Sequence, residues 1–298
     1  MSIPVIRAAG SHREAGTAIG AAARDDIRRS VEGAEFDPDI VLRYRGASVK
    51  HLPWVVEELD AAARAAEVDP LALFADAVLE LSTFSQSKVP AHCTDVAAIP
   101  TLTADGHLLV AHNNDLSPGD ENEVAPKDEG VGIPRLLQVR DALTRTTLTE
   151  ATRAILHPAR ASSYNWLVAQ DDVVMSIEGS ATAAEPIAPA EDGTLAHTNH
   201  YVHPEMLDFE ASASSEGSAA RLQRAKELMT KSLEEAITRA RLREILSDHE
   251  GSEPLCRHGN APGDSQTAFW CIADVTARTV MYGRGNPCDS EAQLYVFS

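Results

Sequence analysis

Apolar positions in the first 92 residues recur at three- and four-residue spacing, whereas the stretch that follows alternates apolar and polar before a helical period returns. Small and apolar residues at helical spacing over 16–27 predict one helix, and 54–66, opening Trp54-Val55-Val56, predict a stronger one. Asp69 and Pro70 supply an N-cap and a first-turn proline for a third, over 71–81. Ser82 to Pro90 is a polar connection, the kind of segment that tolerates a break. Beyond it, 93–100, a turn at Ala104-Asp105-Gly106 and 107–115 read as a β-hairpin, with Cys93 beginning the first strand and Asp115 ending the second.

The charged segment 116–130 contains Ser117-Pro118-Gly119 and Pro126 and reads as a loop. Helices are expected over 133–143 and 149–156, the second opened by a Thr147/Glu150 capping box. Strands over 162–169 and 172–178 flank an Asp171-Asp172 turn. Long helices follow over 218–229 and 233–246, separated at Ser232, which with Glu235 makes another capping-box pattern. A late hairpin over 267–274 and 279–282 completes an α+β chain with no internal repeat.

At 298 residues the chain suits one α+β unit with a helical annex. Its 45 acidic against 26 basic side chains give a formal charge of −19, which argues against nucleic acid and anionic membrane surfaces as partners. No apolar run approaches the roughly 20 residues of a membrane span, and 1–7 carry no signal-peptide core, so a cytoplasmic protein is expected. Cys93, Cys256, Cys271 and Cys288 lie far apart without Cys-x-x-Cys spacing, which argues for separate thiols against a disulfide scaffold or a zinc knuckle. His197, His200 and His203, with Glu205, have spacings that could surround a metal ion, but Pro204 breaks any helix that would align them, and no metal site is expected there.

An isolated Cys before a hairpin is better explained by burial than by chemistry. Its company is more specific: Gly10-Ser11-His12-Arg13-Glu14-Ala15-Gly16, Asn113-Asn114-Asp115, Ala161-Ser162-Ser163-Tyr164-Asn165-Trp166-Leu167-Val168-Ala169, Ile177-Glu178-Gly179, His197-Thr198-Asn199-His200, Ser218-Ala219-Ala220-Arg221, Leu246-Ser247-Asp248-His249-Glu250, Cys256-Arg257-His258 and Gly285-Asn286-Pro287-Cys288. In that order they resemble the acyl-coenzyme A:6-aminopenicillanic acid acyltransferase family, the C45 cysteine peptidase-like branch of the N-terminal-nucleophile (Ntn) hydrolases. The resemblance implies an αββα sandwich with a helical N-terminal segment. It also implies self-cleavage at His92-Cys93 into a 1–92 α chain and a 93–298 β chain, and hydrolysis or transfer of an acyl group at an amide bond of a small acyl-amino acid or peptide-like conjugate. Acyl-CoA is a possible partner, and no cofactor is implied.

By that resemblance Cys93 is the nucleophile, Asn199 the oxyanion donor and Asp115 the residue that orients the new α-amine. Arg221, Asn113 and His200 are candidate substrate-binding residues, and Arg257 is a further candidate. From the residues alone, Asn199 also reads as a turn former, Asp115 as a strand-end Asx turn and Arg221 as a surface ion-pair partner. Two departures stand out. The strands that the family places after its Asn-x-Asp are replaced by the charged segment 116–130, which predicts a reduced sheet or a reduced pocket. Asp95 puts a carboxylate where the family carries a hydroxyl or an apolar side chain, and alternation sets it on the Cys93 side of the strand, where it would oppose thiolate formation. The alternative function is an unprocessed, inactive relative that binds a small molecule or acts as a scaffold.

Overall fold

The computed structural model describes residues 5–78, 91–116, 127–210, 216–259 and 264–297. The connection over 82–90 and most of the 116–130 segment fall outside the described residues.

The N-terminal segment is helical: α1 (His12–Ala22), α2 (Arg24–Val31), α3 (Pro38–His51), α4 (Pro53–Ala66) and α5 (Pro70–Asp76). Ser11 and Glu14 form a reciprocal capping box at the start of α1. The expected 16–27 helix is thus two helices. The α1 helix packs on α4 at backbone distance, because a Cβ at Gly16 or Gly20 would sit 2.1 Å from the carbonyl oxygens of Glu58 or Ala62. The α3 helix was not anticipated, although Asp37 caps it and Pro38 opens it just as Asp69 and Pro70 do for α5.

Val41, Tyr44, Val55, Val56, Phe74 and Val78 of this segment share one core with Ile133, Leu137 and Ala161 from further along the chain. Glu58 of α4 joins it by accepting two hydrogen bonds from Arg140, at 2.7 and 2.8 Å. Arg140 belongs to α6 (Arg135–Ala142), which α7 (Leu148–Ile155) follows.

Two antiparallel sheets form the rest. The larger has six strands, β1 (Ala91–Ala98), β2 (Leu109–Leu116), β6 (Thr194–His197), β7 (Gln266–Asp274), β8 (Thr279–Arg284) and β9 (Gln293–Val296), in the order β6-β1-β2-β7-β8-β9. The smaller is β3 (Asn165–Gln170), β4 (Val173–Gly179) and β5 (Ala184–Ile187). The fold is α+β. Helices α8 (Glu216–Lys231) and α9 (Arg239–Leu246) cover one face of the larger sheet, where Ala225, Met229, Leu242, Ile245 and Leu246 meet Val96, Leu109, Ala111, Trp270 and Ile272. Its other face meets the smaller sheet through Ala97, Leu108, Val174 and Leu195.

Strand alternation therefore sorts β1 and β2 by face. Thr94, Val96, Leu109, Ala111, Asn113 and Asp115 are buried on one set of positions, and Cys93, Asp95, His112 and Asn114 occupy the other. Strand β1 begins at Ala91, two residues before Cys93, so the nucleophile candidate lies inside a paired strand.

The 233–246 helix is shorter than its sequence suggests. Ser232–Glu234 is a 3-10 turn, Glu235 is extended, and α9 starts only after Thr238, whose hydroxyl accepts from the Arg241 N–H at 3.1 Å. Ile237 is instead bonded by backbone to Leu102 and Ala104, and this long-range pairing overrides the local capping pattern. The Ser232 hydroxyl donates back to the Leu228 carbonyl at 2.6 Å.

Candidate active site

Cys93 pairs with Asn114, and Asp95 pairs with His112, across the β1–β2 hairpin. His112 Nδ1 lies 2.8 Å from Asp95 Oδ1, and Cys93 is on the same face of the hairpin. Burial opposes the imidazolium, but the charge and hydrogen bond of Asp95 and the sulfur of Cys93 outweigh it and hold the His112 pKa well above the usual histidine value. With Nδ1 committed to Asp95, Nε2 is the nitrogen left to exchange a proton. The carboxylate expected to oppose the thiolate is thus bonded to an imidazole. Sequence reasoning placed Asp95 on the Cys93 side and missed its partner; the hairpin register held that signal, since residue 112 falls opposite residue 95.

Across the sheet, Cys271 of β7 pairs with His112. Burial pushes the Cys271 thiol up, with the His112 charge opposing that and Asp95 adding to it. Both sulfurs are half-buried, and a thiol pushed up by burial, as that of Cys271 is, makes a poor nucleophile near neutral pH.

Asp115 is fully buried. Its Oδ1 accepts from the Thr267 hydroxyl at 2.6 Å, and its Oδ2 lies 3.8 Å from Arg257 Nε. Burial pushes this carboxyl up to about 6, against the opposing pull of the Thr267 hydrogen bond and the charges of Arg221, Arg257 and His112. Arg221, on the buried face of α8, donates from Nη2 to Asn199 Oδ1 at 2.7 Å. Burial is the main cause that brings its pKa down to about 10, with Arg257 adding repulsion and Asp115, Glu253 and Cys93 opposing it. Arg221 is therefore a buried member of this cluster, linked electrostatically to Asp115 and Cys93 and by hydrogen bond to Asn199.

Asn199 follows β6, whose register sets Asp95 opposite His197. The contact from Arg221 fixes which end of its amide accepts, so Nδ2 is the donor end, and its backbone N–H donates to the Ser218 hydroxyl at 2.8 Å. His200 Nδ1 meets the same hydroxyl at 2.7 Å, and burial lowers its pKa.

Asn113 stands apart. Its amide donates to the carbonyls of Leu246 and Leu255, at 2.9 and 2.8 Å, on the face that α9 covers. There it anchors the end of α9 to the sheet, which differs from the substrate contact expected of it. The His197, His200 and His203 set is also dispersed: His197 Nε2 meets Glu178 Oε1 at 2.6 Å, His200 meets Ser218, and His203 accepts from the Glu205 N–H at 3.3 Å. Glu178 was not foreseen as a site residue. Buried on β4, it holds His197 of the larger sheet and accepts from the N–H groups of Val202 and His203, fixing the turn after Asn199.

A thiol beside an imidazole–carboxylate pair, with an amide donor and a buried guanidinium nearby, is the equipment of acyl transfer through a thioester. The family model of acyl-coenzyme A:6-aminopenicillanic acid acyl-transferase matches residues 121–289, and the chain belongs to that family. The matched span contains Asn199, Arg221 and Arg257, while Cys93, Asp95, His112 and Asp115 precede it. No curated protein matches the chain. Among the described residues no helix is long and apolar enough to cross a membrane.

Proposed function

We propose that the chain is a self-processing N-terminal cysteine amidohydrolase or acyltransferase with an Ntn-type αββα sandwich, acting on the amide or thioester of a small acyl-amino acid, peptide-like conjugate or acyl-CoA. The observation that supports the reading is that Cys93 shares a strand face with the His112–Asp95 pair, while Arg221, which feels the Cys93 charge, is bonded to Asn199. The packing of the two sheets on each other, with α8 and α9 outside, supports the sandwich.

Processing needs proton transfer before any free amine exists at Cys93, and His112, held toward the imidazolium by Asp95, is placed to hand a proton to the leaving nitrogen and recover one from sulfur. The thiol adds to the His92 carbonyl carbon. As the C–N bond breaks, the proton leaving sulfur passes through His112 to the Cys93 nitrogen, leaving a thioester. Water hydrolyses the thioester, freeing the His92 carboxylate and restoring the thiol beside a new α-amine. That amine titrates near ~7.7–8.0 and serves as the base in turnover. In turnover the sulfur takes the acyl group of the substrate, Nδ2 of Asn199 steadies the oxyanion, and water or an acceptor amine releases the product.

Cleavage would leave residues 1–92 in place. Each fully buried Val or Phe of α3–α5 contributes about 1.5–3 kcal/mol, and their core is shared with Ile133 and Leu137. The 1–92 and 93–298 chains are therefore expected to co-elute as one particle. The unpaired thiols support placing the protein in a reducing compartment such as the cytoplasm.

The test is acylation of the nucleophile: wild type mixed with a short-chain acyl thioester should gain one acyl mass on the peptide containing Cys93, and Cys93→Ala should not. Acylation at Cys271 instead would overturn the assignment. A second reading, an unprocessed small-molecule binding protein, is favoured by the strand pairs Ala91–Leu116 and His92–Asp115, which hold the scissile bond within the sheet on its N-terminal side.

A further inference from the structure

Away from Cys93, the loop after α9 and the loop after β8 bring two cysteines and two histidines to one point. The ligand atoms of His249, Cys256, His258 and Cys288 all lie within 4.8 Å of one another. The two sulfurs are 3.6 Å apart, the two imidazole Nε2 atoms 3.0 Å, and His258 Nε2 is 3.3 Å from Cys288 Sγ and 3.9 Å from Cys256 Sγ. A tetrahedral zinc ion with bonds of about 2.3 Å to sulfur and 2.0–2.1 Å to nitrogen would set these separations at roughly 3.8, 3.3 and 3.6 Å. Every printed separation falls within a few tenths of an ångström of that set. A disulfide needs about 2.05 Å between sulfurs and gives no reason for two imidazoles to converge on them.

We propose that His249, Cys256, His258 and Cys288 are a structural zinc site. Two thiolates and two imidazoles select zinc among the common divalent ions by softness and geometry, and four protein ligands leave no open position for catalysis. The positions are held by a frame independent of any ion. Asp248, next to His249, receives two hydrogen bonds from Arg224, at 2.9 and 2.6 Å, and its carbonyl accepts from the Cys256 N–H. Asn286 Nδ2 donates to Cys256 Sγ at 3.3 Å and to the Arg257 carbonyl at 2.6 Å, the outer-shell contact a thiolate ligand calls for. On either side of Cys288, the carbonyls of Pro287 and Ser290 accept from Arg243 at 2.8 and 2.6 Å. The absence of Cys-x-x-Cys spacing hid the site from the sequence, because its ligands come from two loops that only the fold brings together.

The ion's role follows from what lies between its ligands. Arg257 sits between Cys256 and His258, and it faces Asp115 while its own N–H donates to the Thr267 hydroxyl that Asp115 holds. Zinc would lock this segment against the buried carboxylate. The inference is independent of whether Cys93 is the nucleophile.

The test uses the full chain, purified without a metal-affinity tag from zinc-supplemented cells. Elemental analysis should find one zinc per chain, and Cys256 and Cys288 should resist alkylation until a chelator is added, while Cys93 reacts throughout. Cobalt exchanged into the wild type should give intense tetrahedral visible bands and a thiolate charge-transfer band, retained in Cys271→Ser and lost or weakened in Cys288→Ser. Should Cys288→Ser fail to fold, the wild-type alkylation and cobalt spectra decide alone. Metal-free protein with Cys256 and Cys288 freely alkylated, an intact mass two hydrogens light from a Cys256–Cys288 disulfide, or an octahedral cobalt spectrum without the thiolate band would each overturn the proposal.

Discussion

His112 and Asp95 face each other across the β1–β2 pair, with ring nitrogen and carboxylate oxygen 2.8 Å apart and Cys93 on the same face of β1. If His112 relays the proton from sulfur to the leaving nitrogen, His112→Gln should slow processing by about 10²–10⁴-fold and leave the fold intact, and Asp95→Asn should slow it less. The sign of the accompanying stability effect is fixed. A histidine raised by its partner stabilises the fold fully below its ordinary value of about 6.5, and the stabilisation is lost as pH rises through the higher folded-state value. Asp95→Asn should therefore lower the melting temperature more in mild acid than in alkali. Thermal melts across that range would detect it, and a pH-independent loss would contradict the pairing.

Asn199 carries the oxyanion assignment. Asn199→Ala should lower kcat by about 10²–10³-fold with KM little changed, whereas an effect confined to KM would make it a substrate contact. Arg221→Lys keeps the charge but loses the planar contact that orients the Asn199 amide, and it should reproduce part of that loss.

Asp115 should behave in two opposite ways. Its carboxyl, raised to about 6, favours the fold most when protonated, so its contribution is greatest below the ordinary carboxylate value and falls as pH rises through about 6. The loss is of the order of 3 kcal/mol at alkaline pH. Asp115→Asn should melt higher than wild type near about pH 8 and lose that advantage near about pH 4. Activity should fall at both.

Much of the fold was written in local patterns, and much of the site was not. Alternation over 93–100 and 107–115 gave the hairpin, and Asp69-Pro70 gave the start of α5, with the same signature at Asp37-Pro38 announcing an α3 that went unread. The four-residue strands β5, β6 and β9 are too short for periodicity to resolve. The 233–246 pattern failed because Ile237 pairs with residues more than a hundred positions away. Among site residues, Cys93 and Asn199 were visible through family motifs. The His112–Asp95 contact depends on cross-strand register, and the bond from Arg221 to Asn199 depends on docking α8 beside β6, which no single-segment pattern encodes.

The α1–α4 contact gives a test of packing remote from the chemistry. A methyl group at Gly20 would lie 2.1 Å from the Ala62 carbonyl oxygen and 2.7 Å from its carbon, both backbone atoms that can move only if the helices separate. Gly20→Ala should cost about 1–3 kcal/mol despite its better helix propensity, read as a lower denaturant midpoint at unchanged slope. At the exposed helix position Gly46, which has open space around it, the same substitution should be neutral or stabilising.

Intact mass of the purified wild-type chain after incubation at neutral pH tests the account most directly. It should resolve into one fragment ending at His92 and one beginning at Cys93, while Cys93→Ala stays whole. A wild-type chain that keeps its full mass, under conditions where Cys93 still reacts with an alkylating agent, would contradict the assignment of Cys93 as a self-processing nucleophile.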